Sequence, residues 1–190
     1  LLVSLLTWYF TRETLPGRVR IATGSTGGLY HDFTLRVKKL LEDRFSLKVE
    51  LVSTSGSNSN RQRLLGEAGV EVADLAVVQG GAVSMKALFV VAPIYKELVH
   101  VIVRKGRGMD AIPDIDGRRV AVGLEGSGMQ VSADNVLNHY QLKVERRPVS
   151  FRSLLADETL DAAIVTSGVF SADLREVLID ERFVLLPVED

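Results

Sequence analysis

Short runs of β-branched and aliphatic residues recur along the chain at positions 19–22, 47–52, 74–78, 98–103, 119–122, 142–146, 162–165 and 183–187. Each is four to six residues long, the length of a strand in a buried sheet. The stretches between them carry helical spacing. Phe33, Val37, Leu40 and Leu41 share one helix face, and Met129, Ala133, Val136, Leu137 and Tyr140 share another. Strands alternating with helices predict an α/β fold with largely parallel sheets.

The alternation repeats itself. The first half reads RIATGSTGGLY, LKVELVS and RLLGEAGVEVADLAVVQGG, and the second reads RVAVGLEGSGM, LKVERRPVS and SLLADETLDAAIVTSG. Gly24 aligns with Gly123, Leu47 with Leu142, Leu64 with Leu154 and Asp74 with Asp161, at offsets of 99, 95, 90 and 87. The order is kept while loops shorten. The expectation is two similar α/β lobes with a ligand cleft between them, residues 18–98 and 99–190. Residues 98–104 are expected to connect the lobes, and residues 106–117 (GRGMDAIPDIDG) to form an exposed loop with a short turn.

Composition narrows the function. Net charge is −1 from 23 basic and 24 acidic residues, and aromatic content is 6%, so neither a basic field nor a stacking surface favours nucleic acid. With no cysteine, disulfides, thiolate metal sites and cysteine nucleophiles are excluded. Residues 1–10 (LLVSLLTWYF) are apolar but too short for a bilayer, which takes roughly 20. They read as a buried segment or as the end of a signal peptide or membrane anchor. The second reading is preferred for residues 1–17, because polar chain and Pro16-Gly17 follow at once.

Two glycine turns carry the candidate chemistry. Gly24-Ser25-Thr26-Gly27-Gly28-Leu29-Tyr30 and Glu125-Gly126-Ser127-Gly128-Met129 each lie between a strand and a helix, at matching places in the repeat. A helix start offers unpaired N–H groups and partial positive charge, with Ser25 or Thr26 as candidate caps. Neither turn ends in the Gly-Lys-Ser/Thr of a phosphate loop, and neither has G-x-G-x-x-G spacing. Glu50 and Glu145 stand about twenty residues on, where a ribose-binding acid would sit, but within alternating strand runs. Residues 53–58, Gln79-Gly80-Gly81 and Thr166-Ser167-Gly168 also follow strands and are expected at the same cleft. His31, His100 and His139 have no ligand spacing, and Asp110, Asp114 and Asp116 lack the distal Glu of a calcium loop. No metal, cofactor or catalytic residue is expected.

In order, IATGSTGGLYHDF, VSTSGSNSNRQRLLGEAGVEVADLAVVQGG, LVHVIVRKGRGMDAIPDIDGRRVAVGLEGSG and LDAAIVTSGVFSADLREVL resemble the TAXI-type solute receptors of tripartite (TRAP) transporters. That resemblance covers roughly residues 18–188 and implies the type II periplasmic-binding-protein fold. It implies a non-enzymatic, periplasmic receptor, tethered in some relatives by an N-terminal helix, that passes a glutamate- or glutamine-like amino acid or related carboxylate to a membrane transporter subunit. Its ligand residues would be Ser25, Thr26, Gly27, Gly28, Tyr30, Ser57, Gln79, Gly126, Ser127 and Gly128. Met129 and His31 depart from the family pattern, which expects Thr and a second aromatic there. The resemblance also implies a return of the chain to the first lobe. With the chain stopping at Asp190, the expected architecture lacks that C-terminal return segment. A membrane-anchored sensory or partner-binding module on the same lobes is the alternative role.

Overall fold

The computed structural model describes residues 16–67 and 69–187; the apolar start at residues 1–10 lies outside the described residues. All eight expected strands form. β1 (Arg18–Ala22), β2 (Lys48–Val52) and β3 (Leu75–Ala76) make a parallel sheet in the order β2-β1-β3. β4 (Leu98–Arg104), β5 (Arg119–Ala121), β6 (Glu145–Arg147), β7 (Ala162–Ser167) and β8 (Phe183–Leu186) make a second sheet, ordered β6-β5-β7-β4-β8. There β5 runs parallel to β6 and β7, while β4 is antiparallel to β7 and β8. The helices are α1 (Leu29–Phe45), α2 (Ser57–Leu64), α3 (Gly128–His139) and α4 (Ala172–Leu178). No described helix is long and apolar enough to cross a membrane.

The block β6-β5-β7 reproduces β2-β1-β3 strand for strand, and the repeat holds at the level of atoms. Arg20 N–H donates to Asp74 Oδ2 at 2.7 Å, and Arg119 N–H to Asp161 Oδ2 at 3.0 Å. Asp74 and Asp161 return their own N–H groups to the carbonyls of Arg20 and Arg119, each at 2.9 Å. On the neighbouring strand Arg20 faces Glu50 at 3.4 Å, and Arg119 faces Glu145 at 3.0 Å. Glu50 and Glu145 are therefore occupied as cross-strand ion pairs.

The second lobe holds most of the core. All six residues of β7 are buried, as expected of a central strand covered on both faces. Val101, Val103 and Ile164 pack on one side, with Ile115, Val120 and Leu137. Ile102, Ala163 and Val165 pack on the other, with Leu154, Leu160 and Val177. The first lobe's cluster is thinner: Val19, Ile21, Leu47 and Val49, with Leu41 and Leu51 against it.

Three details differ from expectation. Leu40, placed on the buried face of α1, is 48% exposed; the fully buried residue of that helix is Thr34. Residues 106–117 are not simply an exposed loop. Met109, Ile112 and Ile115 sink into the core through a 3-10 turn at Ile112–Ile115. Asp114 accepts the Asp110 and Ala111 N–H groups, and Asp116 accepts that of Lys143, so these carboxylates fasten the turn. Finally, residues 98–104 are an interior strand of the second sheet; the passage between sheets is made by residues 77–97. The last strand, β8, also stays in the second sheet, beside β4.

Candidate functional site

Parallel strands bring their carboxyl ends to one edge, and ligand sites in α/β proteins gather there. The loops after β1, β2 and β3 meet those after β5, β6 and β7 around a cavity of ≈ 130 Å³. Seven of the ten residues singled out from the sequence line it: Ser25, Gly28, Tyr30, Ser57, Gln79, Ser127 and Gly128. Thr26 and Gly27 lie in an adjoining outer hollow with Arg152 and Ser153. Gly126 lies in the contact between the lobes.

The two glycine turns are built differently. In the first, Gly28 N–H closes back on the Ser25 carbonyl at 3.0 Å and Gly27 takes φ +81°. The N-cap of α1 is Gly28, with no side-chain cap. The capping expected of Ser25 or Thr26 does not occur, and Thr26 Oγ1 instead lies 3.3 Å from Ser53 Oγ. The start of a 17-residue helix thus reaches the cavity wall without an internal side-chain acceptor, a favourable place for an anion. In the second turn Ser127 caps α3 by accepting Gln130 N–H at 3.4 Å, and Gln130 Oε1 accepts Gly126 N–H at 3.1 Å. The glutamine thus reaches past the cap to the preceding N–H, while Ser127 N–H closes on the Leu124 carbonyl at 3.0 Å. The turn closes over Gly123, where a Cβ would stand 2.6 Å from Met129 Cβ.

The lobes touch through these turns. Asn58 N–H donates to the Gly126 carbonyl at 3.1 Å, and Gln79 Nε2 donates to Ser132 Oγ at 2.6 Å. A Cβ on Gly56 would meet Ser127 Cα at 3.0 Å, and one on Gly128 would meet Gln79 Oε1 at 2.7 Å and Ser57 Oγ at 3.0 Å. Glycine is required here by close approach of the lobes. At the far side, a Cβ on Gly168 would meet Leu29 Cδ2 at 3.1 Å.

Two hydrogen bonds order the first lobe's wall. Gln79 N–H donates to Ser57 Oγ at 2.9 Å, and Tyr30 Oη donates to Glu97 Oε2 at 2.8 Å. Burial pushes the Tyr30 phenol far up, and the adjacent Glu97 carboxylate adds to it. Burial also raises the Glu97 carboxyl, with the Tyr30 hydroxyl opposing it. Across the cavity Asp173, in the first turn of α4, is raised by burial while Arg152, 3.3 Å away, opposes. Thr166 lines the same wall, and its Oγ1 is buried without a partner among the described residues.

Glu97, Asp173, Ser150 and Phe151 line the cavity without having been singled out. Ser150 was within reach, because it ends the repeat LKVERRPVS as Ser53 ends LKVELVS. Glu97 had no signal: it sits in the aperiodic crossover and comes to the site only through Tyr30.

The fold has well-matched counterparts. An ancestral arginine-binding protein bound to arginine superposes with TM-score 0.63 at 17% identity, covering 91% of this chain and 80% of that one. A protein from Bordetella bronchiseptica RB50 gives 0.64 at 20%, over 92% and 57%. The periplasmic aliphatic sulphonate binding protein SsuA from Escherichia coli gives 0.54 at 15%, over 90% and 57%. At these identities the likeness establishes the fold, that of the two-lobed periplasmic binding proteins. Sequence similarity reaches further, for residues 21–190 match one family, and the chain belongs to the NMT1-like family.

Proposed function

We propose that the protein is an extracytoplasmic solute-binding protein that captures a small carboxylate by closure of its lobes and delivers it to a TRAP-type uptake system. A glutamate- or glutamine-like amino acid or a related organic acid is the solute class. The observation that carries this reading is the ≈ 130 Å³ cavity walled by the strand ends of both lobes. At about 10–15 Å³ per site of water size, it has room for roughly ten non-hydrogen atoms. The uncapped start of α1 receives the carboxylate, and the hydroxyls of Ser25, Ser57 and Ser127 surround it. Fold-mates that are named for binding arginine and sulphonates support the same use of the cleft.

Binding rather than turnover accounts for the wall. Three of its serines are engaged as structural acceptors: Ser57 for Gln79 N–H, Ser127 for Gln130 N–H and Ser171 for Leu174 N–H. Lobe closure follows the hinge pattern of two-domain receptors, with residues 77–97 as the crossing segment. The test is a thermal-shift and calorimetric screen of the full chain against amino acids, dicarboxylates and sulphonates. A saturable rise in melting temperature for one class is expected; no stabilisation by any of them overturns the reading.

A further inference from the structure

We propose that the bound solute carries an ammonium group and that Glu97 is its counter-charge, so that carboxylates lacking an amine are rejected. The inference rests on the cavity being the solute site and narrows what fills it.

The charged side chains of the wall are both acidic. Glu97 comes from the crossover and Asp173 from α4, and no Lys, Arg or His lines the cavity among the described residues. The two acids are not equivalent. Asp173 is already matched by Arg152 at 3.3 Å. Glu97 has no ion pair among the described residues, and its hydrogen-bond partner is the neutral Tyr30 hydroxyl on Oε2. A carboxylate offers about four acceptor sites, so Glu97, half-buried and holding one protein donor, keeps most of its capacity for water or a ligand. A solute that shuts water off from it without bringing a cation is costly to bind, and an ammonium supplies charge and donors together.

Placement supports the same assignment. β4 and β7 pair with Leu98 opposite Ser167 and Val99 opposite Thr166. Residues two apart on a strand share a face. Carrying that alternation one residue back from Leu98 sets Glu97 on the face of Thr166. Thr166 Oγ1 is the buried hydroxyl without a partner, in a residue 9% exposed, and it lines the same cavity. One ammonium can donate to Glu97 and to Thr166 at once. The Tyr30 hydroxyl fixes the carboxylate in place. The carboxylate end of the same solute then lies at the start of α1, which begins one residue before Tyr30.

The test is calorimetry on the full chain at pH 7.5. L-glutamate, L-glutamine and L-arginine are compared with 2-hydroxyglutarate, in which a hydroxyl replaces the amine, and with glutarate. At least one amino acid is expected to bind about 100-fold more tightly than both amine-free acids. Its affinity should rise with pH as Glu97, whose carboxyl is raised above the ordinary range by burial, loses its proton. Glu97→Gln, which keeps an acceptor for Tyr30, should weaken the amino acid by about 30-fold or more and flatten the pH profile. Circular dichroism checks that the variant is folded; the wild-type selectivity needs no variant. If an amine-free acid binds as tightly as the amino acids, the inference falls and the solute-binding reading stands. If Glu97→Gln weakens both series equally, the assignment of Glu97 falls. Binding of neither series overturns both.

Discussion

Gly128→Ala separates closure of the lobes from folding of either lobe. Gly128 is the first residue of α3, and its φ lies outside the left-handed region, so alanine suits the local backbone. Within its own helix alanine is favoured over glycine by up to about 1 kcal/mol, less at a terminus. The new methyl, however, would stand 2.7 Å from Gln79 Oε1, 2.9 Å from Gln79 Cβ and 3.0 Å from Ser57 Oγ, all on the other lobe. Relieving this contact moves Gln79 and breaks its 2.6 Å bond to Ser132, which is worth about 0.5–1.5 kcal/mol. Overpacking against Gln79 Cβ adds about 1–2 kcal/mol. The closed state is thus expected to lose about 2–3 kcal/mol, and solute affinity to fall about 30–150-fold. The ligand-free melting temperature should change little. Calorimetry measures the affinity, scanning fluorimetry the melting, and small-angle scattering the shift toward the open form. Wild-type affinity together with a wild-type scattering profile on adding solute would refute the reasoning. The lobe contact through Gly128 would then be no part of the bound state.

Other expectations follow from the same geometry. Gly123→Ala forces φ +89° on a residue whose Cβ would meet Met129 Cβ at 2.6 Å and Ser127 Oγ at 2.9 Å; it should lower the urea midpoint by about 2 kcal/mol or more of stability. Ile164→Ala, at a fully buried position of β7, should cost about 2–5 kcal/mol. Leu41→Ala in the thinner first-lobe cluster should cost less, as read from paired denaturant titrations. Glu97→Gln should stabilise the ligand-free protein at pH 7.5 while it weakens binding. Because the folded carboxyl is raised, the folded state binds the proton more readily than the unfolded chain, and the wild type loses stability as pH rises through that value. Melting curves from pH 4 to 8 should therefore fall for the wild type relative to the variant. Asp161 has the opposite sign. Burial opposes its ionisation, but the Arg119 N–H and Arg107 hold its carboxyl below the ordinary range. The stability it adds is present above pH ~4 and is lost as pH falls, so Asp161→Asn should flatten the acid side of the melting profile.

The architecture was readable because the repeat encodes strand pairing. The offsets that align Gly24 with Gly123 and Asp74 with Asp161 also carry the Arg20–Glu50 and Arg119–Glu145 pairs into equivalent register. Both parallel blocks then direct their glycine turns to one place. What stayed hidden depends on contacts that no period records. Gly126 looked like a ligand turn, yet its carbonyl is taken by Asn58 N–H from the other lobe. Ser25 and Thr26 have the chemistry of caps, but the turn closes on Gly28, which takes the N-cap place two residues after Thr26. The polar text of residues 106–117 masked Ile112 and Ile115, because a 3-10 turn brings apolar residues three apart to the same side. Glu97 follows a stretch rich in apolar residues without periodicity, and only the Tyr30 bond reveals it.

The lobe contact is polar and small-featured, which sets how firmly the empty protein stays closed. Asn58 to Gly126 and Gln79 to Ser132 are its two direct hydrogen bonds among the described residues, worth together about 1–3 kcal/mol. The other close approaches set glycines against side chains of the other lobe, Gly128 against Gln79 and Ser57, Gly126 against Ser55 and Gly168 against Leu29. Taken alone, a gap of that size would leave the open form populated at roughly 1–15% in the absence of solute. Against closure stands Glu97, a half-buried cavity carboxylate with no ion pair among the described residues. The two effects have opposite sign. A solute that neutralises Glu97 and reaches the start of α1 removes the opposing one, so the free energy of closure is drawn from ligand contacts rather than from the lobes' contact with each other. A receptor that must also release its cargo requires that distribution, since an interface strong enough to close alone would hold the cleft shut whether or not it was filled.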